Sequence, residues 1–477
     1  MSRISRSARI PALMAACGVA AATAALATAA HAGTAPSASS ASSASPVPAV
    51  PAPATGVSRV YGADRYQTGV QVSQSQWADA AGDATNRAKA QAVVLARGDN
   101  FPDALSGVPL AAKVHGPLLL TSPTSLTAAT AAEIARVLGP GAGQPVYILG
   151  GTGAVSPAVE AQLTRDGYAV TRYQGANRYL TALDVARRGL GDPSRIVVAT
   201  GDGYADALAA GPFAAGPDAV KSGPAAIVLS SGHSLDPSTA AYVSGKLAAA
   251  APGDCAAVTA VGVQATAAVQ LVTRPGACST PLAGPDRYAT AVAVAKQFPA
   301  GTSVGVATGG GFADALTGGA AMAALGRPLV LTDAAALGDN PRLWLVGAHQ
   351  AGVTSTVVFG GAGAVGNGVL AQLQDIANGG DGLPITPPPP PPGGGLCGAP
   401  TNPYGLNYCG SGALITKAQV PSDICTYFSC IGAPTNESFW KGVGYLEVCN
   451  DGDISLSGGR SGACSSHGGE NHPVWKS

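Results

Sequence analysis

Paired carboxylates at the end of an apolar run are the first residues here that could do chemistry. Asp99 and Asp103 follow Val93-Val-Leu-Ala96, and Asp202 and Asp206 follow Ile196-Val-Val-Ala199. At the carboxyl end of a parallel strand, where α/β proteins bind ligands, such a pair can hold a cation or serve phosphoryl transfer. A third version of the stretch begins at Val304, but Gly310 stands where the first carboxylate should be and only Asp314 persists. An acid in the first turn of a helix complements the helix dipole. That structural reading of Asp103, Asp206 and Asp314 fits all three copies, and it is preferred to a metal site.

A second set of residues precedes each stretch: Gly62-Ala-Asp-Arg-Tyr66, Gly175-Ala-Asn-Arg-Tyr179 and Gly284-Pro-Asp-Arg-Tyr288. A guanidinium binds carboxylate or phosphate through two parallel hydrogen bonds, so Arg65, Arg178 and Arg287, with Tyr66, Tyr179 and Tyr288, are candidate anion-binding residues. The alternative is an internal salt bridge from each arginine to Asp103, Asp206 or Asp314 of its own copy. Gly150-Gly151 and Gly360-Gly361, each closing an apolar run, permit close backbone approach and resemble a phosphate-cradling loop faintly. Copy two reads Val261-Gly262-Val263 there, so the pair is lost from it.

No nucleophile–histidine constellation appears in the copies, because His115, His233 and His349 occupy unrelated positions. The spacing Cys464-Ser-Ser-His467, with His472 beyond, could suit zinc. No catalytic residue, metal or cofactor is assigned.

These residues must be positioned by strands alternating with helices. In copy one the pattern predicts a helix over 66–77 and strands over 91–96, 117–121 and 145–151. Further helices are expected over 126–138 and from the Ser156-Pro157 cap to Leu163. Phe101, Leu105 and Val108 share one face of the helix that Pro102 and Asp103 open. Copy two repeats the strands over 196–199, 225–230 and 257–263, and copy three over 304–307, 328–332 and 355–361. Such alternation implies parallel sheets covered on both faces. The copies recur about every 110 residues, so the repeat is domain-sized rather than a solenoid unit.

The ends differ in kind. Arg3, Arg6 and Arg9, an alanine-rich run and Ala30-His31-Ala32 read as a secretory signal over 1–32. An uncharged Ala/Ser/Pro linker follows over 33–56. The three copies occupy 57–172, 173–281 and 282–380. A Pro/Gly linker over 381–395 contains Pro387–Pro392, expected to be an extended rod. A small module fills 396–477.

Of 477 residues, 27 are acidic and 27 basic, and removal of the three leader arginines leaves an acidic excess of three. That excludes the strong basic surplus of a nucleic-acid protein. Nine cysteines include Cys17 of the leader, and an even set in an exported chain favours disulfides. Cys255 and Cys278 have no counterpart in the other copies, so they are expected to pair with each other. Cys397, Cys409, Cys425, Cys430, Cys449 and Cys464 should pair among themselves, Cys449 with Cys464 first, and a disulfide framework is preferred to zinc.

The ordered, threefold recurrence of G-x-[DN]-R-Y, the Asp-Ala-Leu stretch and the I-L-G-G/V-F-G-G strand ends resembles the cell-wall-binding repeat type 2 family over about residues 57–380. The resemblance implies an exported protein of Gram-positive bacteria. It implies three Toprim-like α/β repeats assembled as an intramolecular pseudo-trimer and held non-covalently to an anionic secondary wall polymer at the cell surface. Cys449-Asn-Asp-Gly and Ser461-Gly-Ala-Cys464-Ser-Ser-His467-Gly-Gly resemble a small secreted bacterial domain of unknown function. The expected function is therefore non-catalytic wall binding with no membrane or nucleic-acid partner. The alternatives are a tail that modifies peptidoglycan or wall polymer, and a peptide-binding or inhibitory tail.

Overall fold

The structure is a computed structural model that describes residues 55–82, 84, 87–141, 143–216 and 223–384, with segments 414–415, 445–450, 454–458 and 470–473 of the tail. The expected signal, both linkers except residues 55–56 and 381–384, and every tail cysteine but Cys449 lie outside the described residues. Among the described residues no helix is long and apolar enough to cross a membrane.

Three four-stranded, all-parallel sheets form the body. The first contains β2 (Val93–Arg97), β3 (Leu118–Thr121), β4 (Pro145–Leu149) and β5 (Ala169–Tyr173), in the order β3-β2-β4-β5. The second contains β6 (Ile196–Thr200), β7 (Ala226–Ser230), β8 (Val258–Val261) and β9 (Thr280–Leu282), in the order β7-β6-β8-β9. The third contains β10 (Ser303–Thr308), β11 (Leu329–Thr332) and β12 (Ser355–Phe359). Its fourth strand is β1 (Gly56–Val60), which pairs in parallel with β12. The strand ahead of each Arg-Tyr motif therefore completes the sheet of the preceding copy, and β1 closes the cycle.

Alternate residues of each strand reach opposite cores, as a pleat with period two requires. In β2, Val94 and Ala96 join a cluster shared by all three copies, whereas Val93 and Leu95 face a cluster of copy one alone. In β10, Ala307 faces the shared core and Val304 and Val306 the outer one.

The helices of copy one are α1 (Arg65–Gln76), α2 (Gly107–Lys113), α3 (Ala128–Leu138) and α4 (Pro157–Arg165). Copy two has α5 (Arg178–Asp184), α6 (Ala205–Ala215), α7 (Pro237–Ala249) and α8 (Val263–Gln270). Copy three has α9 (Arg287–Ala295), α10 (Ala313–Ala324), α11 (Asp339–Gln350) and α12 (Asn367–Ala377). The shared core is where α2, α6 and α10 meet pairwise. Small side chains permit the approach: a Cβ added at Gly211 would lie 3.1 Å from Val108, and one at Gly69 would lie 3.2 Å from Thr317. Copy one departs from the single helix expected after Phe101. A 3₁₀ turn, Pro102–Ala104, precedes α2, and Pro109 cannot donate to the turn before it.

Cys255 and Cys278 are joined, with Cα atoms 4.7 Å apart, as expected from their isolation in copy two. In the tail, β13 (Leu414–Ile415), β14 (Tyr445–Cys449), β15 (Ile454–Gly458) and β16 (Glu470–Pro473) form an antiparallel sheet in the order β13-β15-β14-β16. Cys449 is disulfide-bonded.

Candidate functional site

The Gly-x-[Asp/Asn]-Arg-Tyr motif is first a helix start. Asp64, Asn177 and Asp286 accept the backbone N–H of the residue three ahead, at 2.8, 2.9 and 2.7 Å. Such a cap satisfies one of the N–H groups a helix leaves unpaired. The glycine then donates its N–H to a threonine hydroxyl one turn in. The acceptors are Thr68, Thr181 and Thr290, each at 3.1 Å. A side chain at Gly62, Gly175 or Gly284 would strike that first turn, with the nearest atom at 2.4–2.5 Å. The threonine belongs to the motif, yet its six-residue separation from the glycine hides it in the sequence.

With the helix start fixed, each arginine is aimed inward over the carboxyl ends of the strands. Arg65 donates to Gly98 O at 2.7 Å, Arg178 to Gly201 O at 2.5 Å and Arg287 to Gly309 O at 2.5 Å, all within the same copy. The tyrosine packs close to that same glycine: a Cβ at Gly98, Gly201 or Gly309 would lie 2.5, 3.0 or 2.8 Å from the ring of Tyr66, Tyr179 or Tyr288. Tyr179 donates its hydroxyl to Asp202 at 3.0 Å, and Tyr288 donates to Asp333 at 3.4 Å.

The guanidiniums then reach across the copy boundaries. Arg65 lies over the ring of Phe312 at 5.8 Å, Arg178 over Phe101 at 5.7 Å and Arg287 over Tyr204 at 5.8 Å. Those three rings meet one another, with centroids 5.4, 6.0 and 6.1 Å apart. The result is a half-exposed aromatic triad, one ring per copy, bordered by three cations. Each cation–ring contact contributes about 0.5–1 kcal/mol at an exposed site. Beyond the carbonyl and the ring, the donor forks of these arginines make no hydrogen bond or ion pair among the described residues, which leaves N–H groups for an anion.

The internal salt bridge within one copy is not formed. Each inward aspartate instead fills the space that a glycine vacates at the end of its copy's third strand. A Cβ at Gly150, Gly262 or Gly360 would lie 2.6, 2.0 or 2.5 Å from Oδ2 of Asp103, Asp206 or Asp314. All three glycines have positive φ, of 97°, 89° and 110°. Copy two has therefore kept the glycine that matters at Gly262, and only the second position has become Val263. The electrostatic neighbours of the aspartates also lie across boundaries. Burial pushes the Asp206 carboxyl up to about 6, with Arg287 of copy three opposing it. Burial also raises Asp314, against the Thr68 hydroxyl and Arg65 of copy one.

The remaining candidates fall into place around this centre. Asp99 does not join Asp103; it forms a two-pronged pair with Arg97, both contacts 2.7 Å, which holds its carboxyl below the usual range. The N–H groups of Gly150 and Gly360 are bonded to the edge strands, at Tyr173 O and Val60 O. Carbonyls of the same turns accept from Arg172 and Arg59 of those strands. Gly151 and Gly361 border the turns without crowding, since a Cβ added there would meet its nearest atom only at 3.6 and 3.5 Å. Among the described residues no group of three or more His, Cys, Asp or Glu is placed to hold a metal ion.

Comparison with known proteins identifies the repeats. The family model for cell wall binding domain 2 matches residues 59–160, 172–268 and 282–370, and a domain of unknown function (DUF3761) matches 442–473. N-acetylmuramoyl-L-alanine amidase LytC of Bacillus subtilis is 28% identical over 320 residues, 67% of this chain and 58% of that protein. An amidase enhancer from the same organism is 37% identical over 157 residues, 33% of this chain and 20% of the enhancer. Among solved structures, Cwp8 from Clostridium difficile superposes with a TM-score of 0.56 at 26% identity, over 68% of this chain and 52% of Cwp8. Cwp6 from the same organism shares the fold, with a TM-score of 0.52 at 21% identity, over 70% of this chain and 49% of its own. The chain thus spans between a fifth and three-fifths of the length of these relatives. Three matched segments, each carrying one arginine and one ring of the shared triad, place this chain in the cell wall binding domain 2 family.

Proposed function

We propose that the body binds an anionic polymer of the cell wall at the aromatic triad, without catalysis, and presents the cysteine-rich tail at the cell surface. The observation that carries this reading is the convergence of Arg65, Arg178 and Arg287 on Phe312, Phe101 and Tyr204. One copy supplies a single cation, which competes poorly with water and salt. Three on one face give the multivalent attraction a repeating polyanion needs, and rings between them offer flat apolar surface to sugars. Tyr66, Tyr179 and Tyr288 border the same face. The glycines Gly150, Gly151, Gly360 and Gly361 act through the turns that seat the aspartates. A non-catalytic role is supported by the carboxylates themselves, because Asp99 is tied to Arg97 and Asp103 is folded against Gly150.

The test is co-sedimentation of the full chain with purified walls. Binding should fall steeply as salt screens the contacts, and should be lost from walls stripped of anionic polymer by acid. A variant with all three arginines changed to glutamine should remain in the supernatant. Undiminished sedimentation of that variant refutes the site, and undiminished binding to stripped walls refutes the ligand.

A further inference from the structure

A cleft of about 620 Å³ opens in copy three between α9 and α11, on the flank of the body. Its walls include Phe298, Leu343, Trp344 and Val353, and its only ionisable lining residues are Lys296 and Arg327. In the other two copies the equivalent position of the facing helix carries a buried side chain. Counted from the helix N-cap (Thr127, Asp236 or Gly338), the sixth residue is Glu133 in copy one, Tyr242 in copy two and Trp344 in copy three. Glu133 is buried beneath Arg136, two contacts of 2.7 Å joining them, and Arg136 also donates to Trp77 O. Tyr242 is buried too, donating to Asp192 at 2.7 Å, with Lys246 and Arg187 lying over its ring.

Copy three has lost the plug. Gly347 stands where copy one has Arg136; copy two has Gly245 there but lays Arg187 and Lys246 over its ring, whereas Trp344 is packed on one side against the copy-three core and only partly buried. Leu343 beside it is 62% exposed. Arg327 packs its guanidinium against Gly301, where a Cβ would lie only 1.9 Å from Nη1. That half-buried cation makes no hydrogen bond or ion pair among the described residues.

We propose that this cleft is a second binding site, for a sugar ring of an anionic glycan. The indole offers a flat apolar face to the C–H face of a pyranose. Arg327 and Lys296 receive the carboxylate or phosphate the ring carries, and no carboxylate in the lining competes for them. The volume lies within the 300–1,000 Å³ range of small-molecule sites and suits one or two sugar units. This inference rests on the wall-binding reading for the ligand's source, but the cleft is separate from the aromatic triad.

The probes are a hyaluronan tetrasaccharide as the anionic glycan, chitotetraose as its uncharged counterpart and the dipeptide Leu-Phe as an apolar carboxylate. Titrated into the full chain, the hyaluronan fragment should change tryptophan emission saturably, and Trp344→Phe should remove that change. Arg327→Gln should weaken binding at least tenfold. Gly347→Arg restores the plug of copy one at a position with no atom within 4 Å of a new Cβ, so the variant should fold and lose binding. Both cleft variants should still sediment with walls if the triad is the anchor. Loss of sedimentation by the triad variant with tetrasaccharide binding intact separates the two sites. The cleft proposal is overturned if the tetrasaccharide produces no saturable change, if Gly347→Arg leaves its affinity unaltered, or if Leu-Phe binds while the glycan does not.

Discussion

Asp206 should make the body less stable as pH rises, and an asparagine in its place should remove that dependence. Burial lifts its carboxyl from the ordinary 3.8 to about 6, Arg287 only partly compensating. An acid whose pKa is higher in the fold than in the unfolded chain holds its proton more tightly when folded. Its unfavourable ionisation is absent below about 4 and grows as pH rises through about 6. At 1.36 kcal/mol per pH unit, a shift of about two units amounts to roughly 3 kcal/mol, of which about 2 kcal/mol falls between pH 4.5 and 8. Asp206→Asn keeps the shape against Gly262 and cannot ionise. Any fixed gain or loss from the new amide is the same at every pH. Urea unfolding of both proteins across this range isolates the carboxyl. The stability difference, variant minus wild type, should climb by about 2 kcal/mol from acid to alkali. A flat difference, or one that shrinks as pH rises, would show that the carboxylate is ionised and satisfied within the fold, and the burial argument would be wrong.

Gly262→Ala should cost about 2–4 kcal/mol, because the new Cβ meets Asp206 at 2.0 Å on a backbone with φ of 89°. Gly361→Ala, whose nearest atom is 3.5 Å away, should cost less than about 0.5 kcal/mol; equal urea midpoints for the two variants would contradict the packing role. Thr290→Val removes the acceptor for Gly284 N–H and should cost about 1–2 kcal/mol by the same measurement, with no loss if the cap is dispensable. The double variant Cys255→Ser, Cys278→Ser should lose about 3 kcal/mol in the loop-entropy account, and an unchanged urea midpoint would refute that account. Non-reducing peptide mapping should recover Cys449 joined to Cys464, and a bridge from Cys449 to any other cysteine refutes that pairing.

Strands that pair within one copy were legible from apolar runs, since β2, β4 and β6 lie in stretches that can only be buried. The edge strands β1, β5 and β9 carry no such signal. They are largely half-exposed and lack the continuous apolar run of an interior strand, and β1 pairs with β12 some three hundred residues away, so local periodicity carries no trace of that pairing. The arginines and tyrosines stood out because they recur, yet recurrence could not say where a guanidinium points. A salt bridge inside one copy was the natural internal alternative; contacts across the boundaries emerge only from the packing of α2, α6 and α10. The aromatics at 101, 204 and 312 lie more than a hundred residues apart, and only the ring of copies brings them together. The role of Gly262 is hidden in the sequence for a related reason. A pattern of two glycines hides the fact that only the first must adopt positive φ and make room for a carboxylate.

The placement of β1 in the third sheet sets the number of copies. In an open stack of repeats, a unit can be added or deleted at either end with little effect on the others. Here each sheet ends on the strand that leads into the next Arg-Tyr motif, and the third sheet is completed by β1 at the start of the first unit. Duplicating one unit would leave β1 too far around to reach its partner at the same curvature, and deleting one would leave two copies unable to surround a common centre. The arrangement also delays completion: the earliest strand made waits for β12, some three hundred residues later, before it has anything to pair with. Lineages built on this plan should therefore vary in what they attach to the body, and not in how many units the body contains.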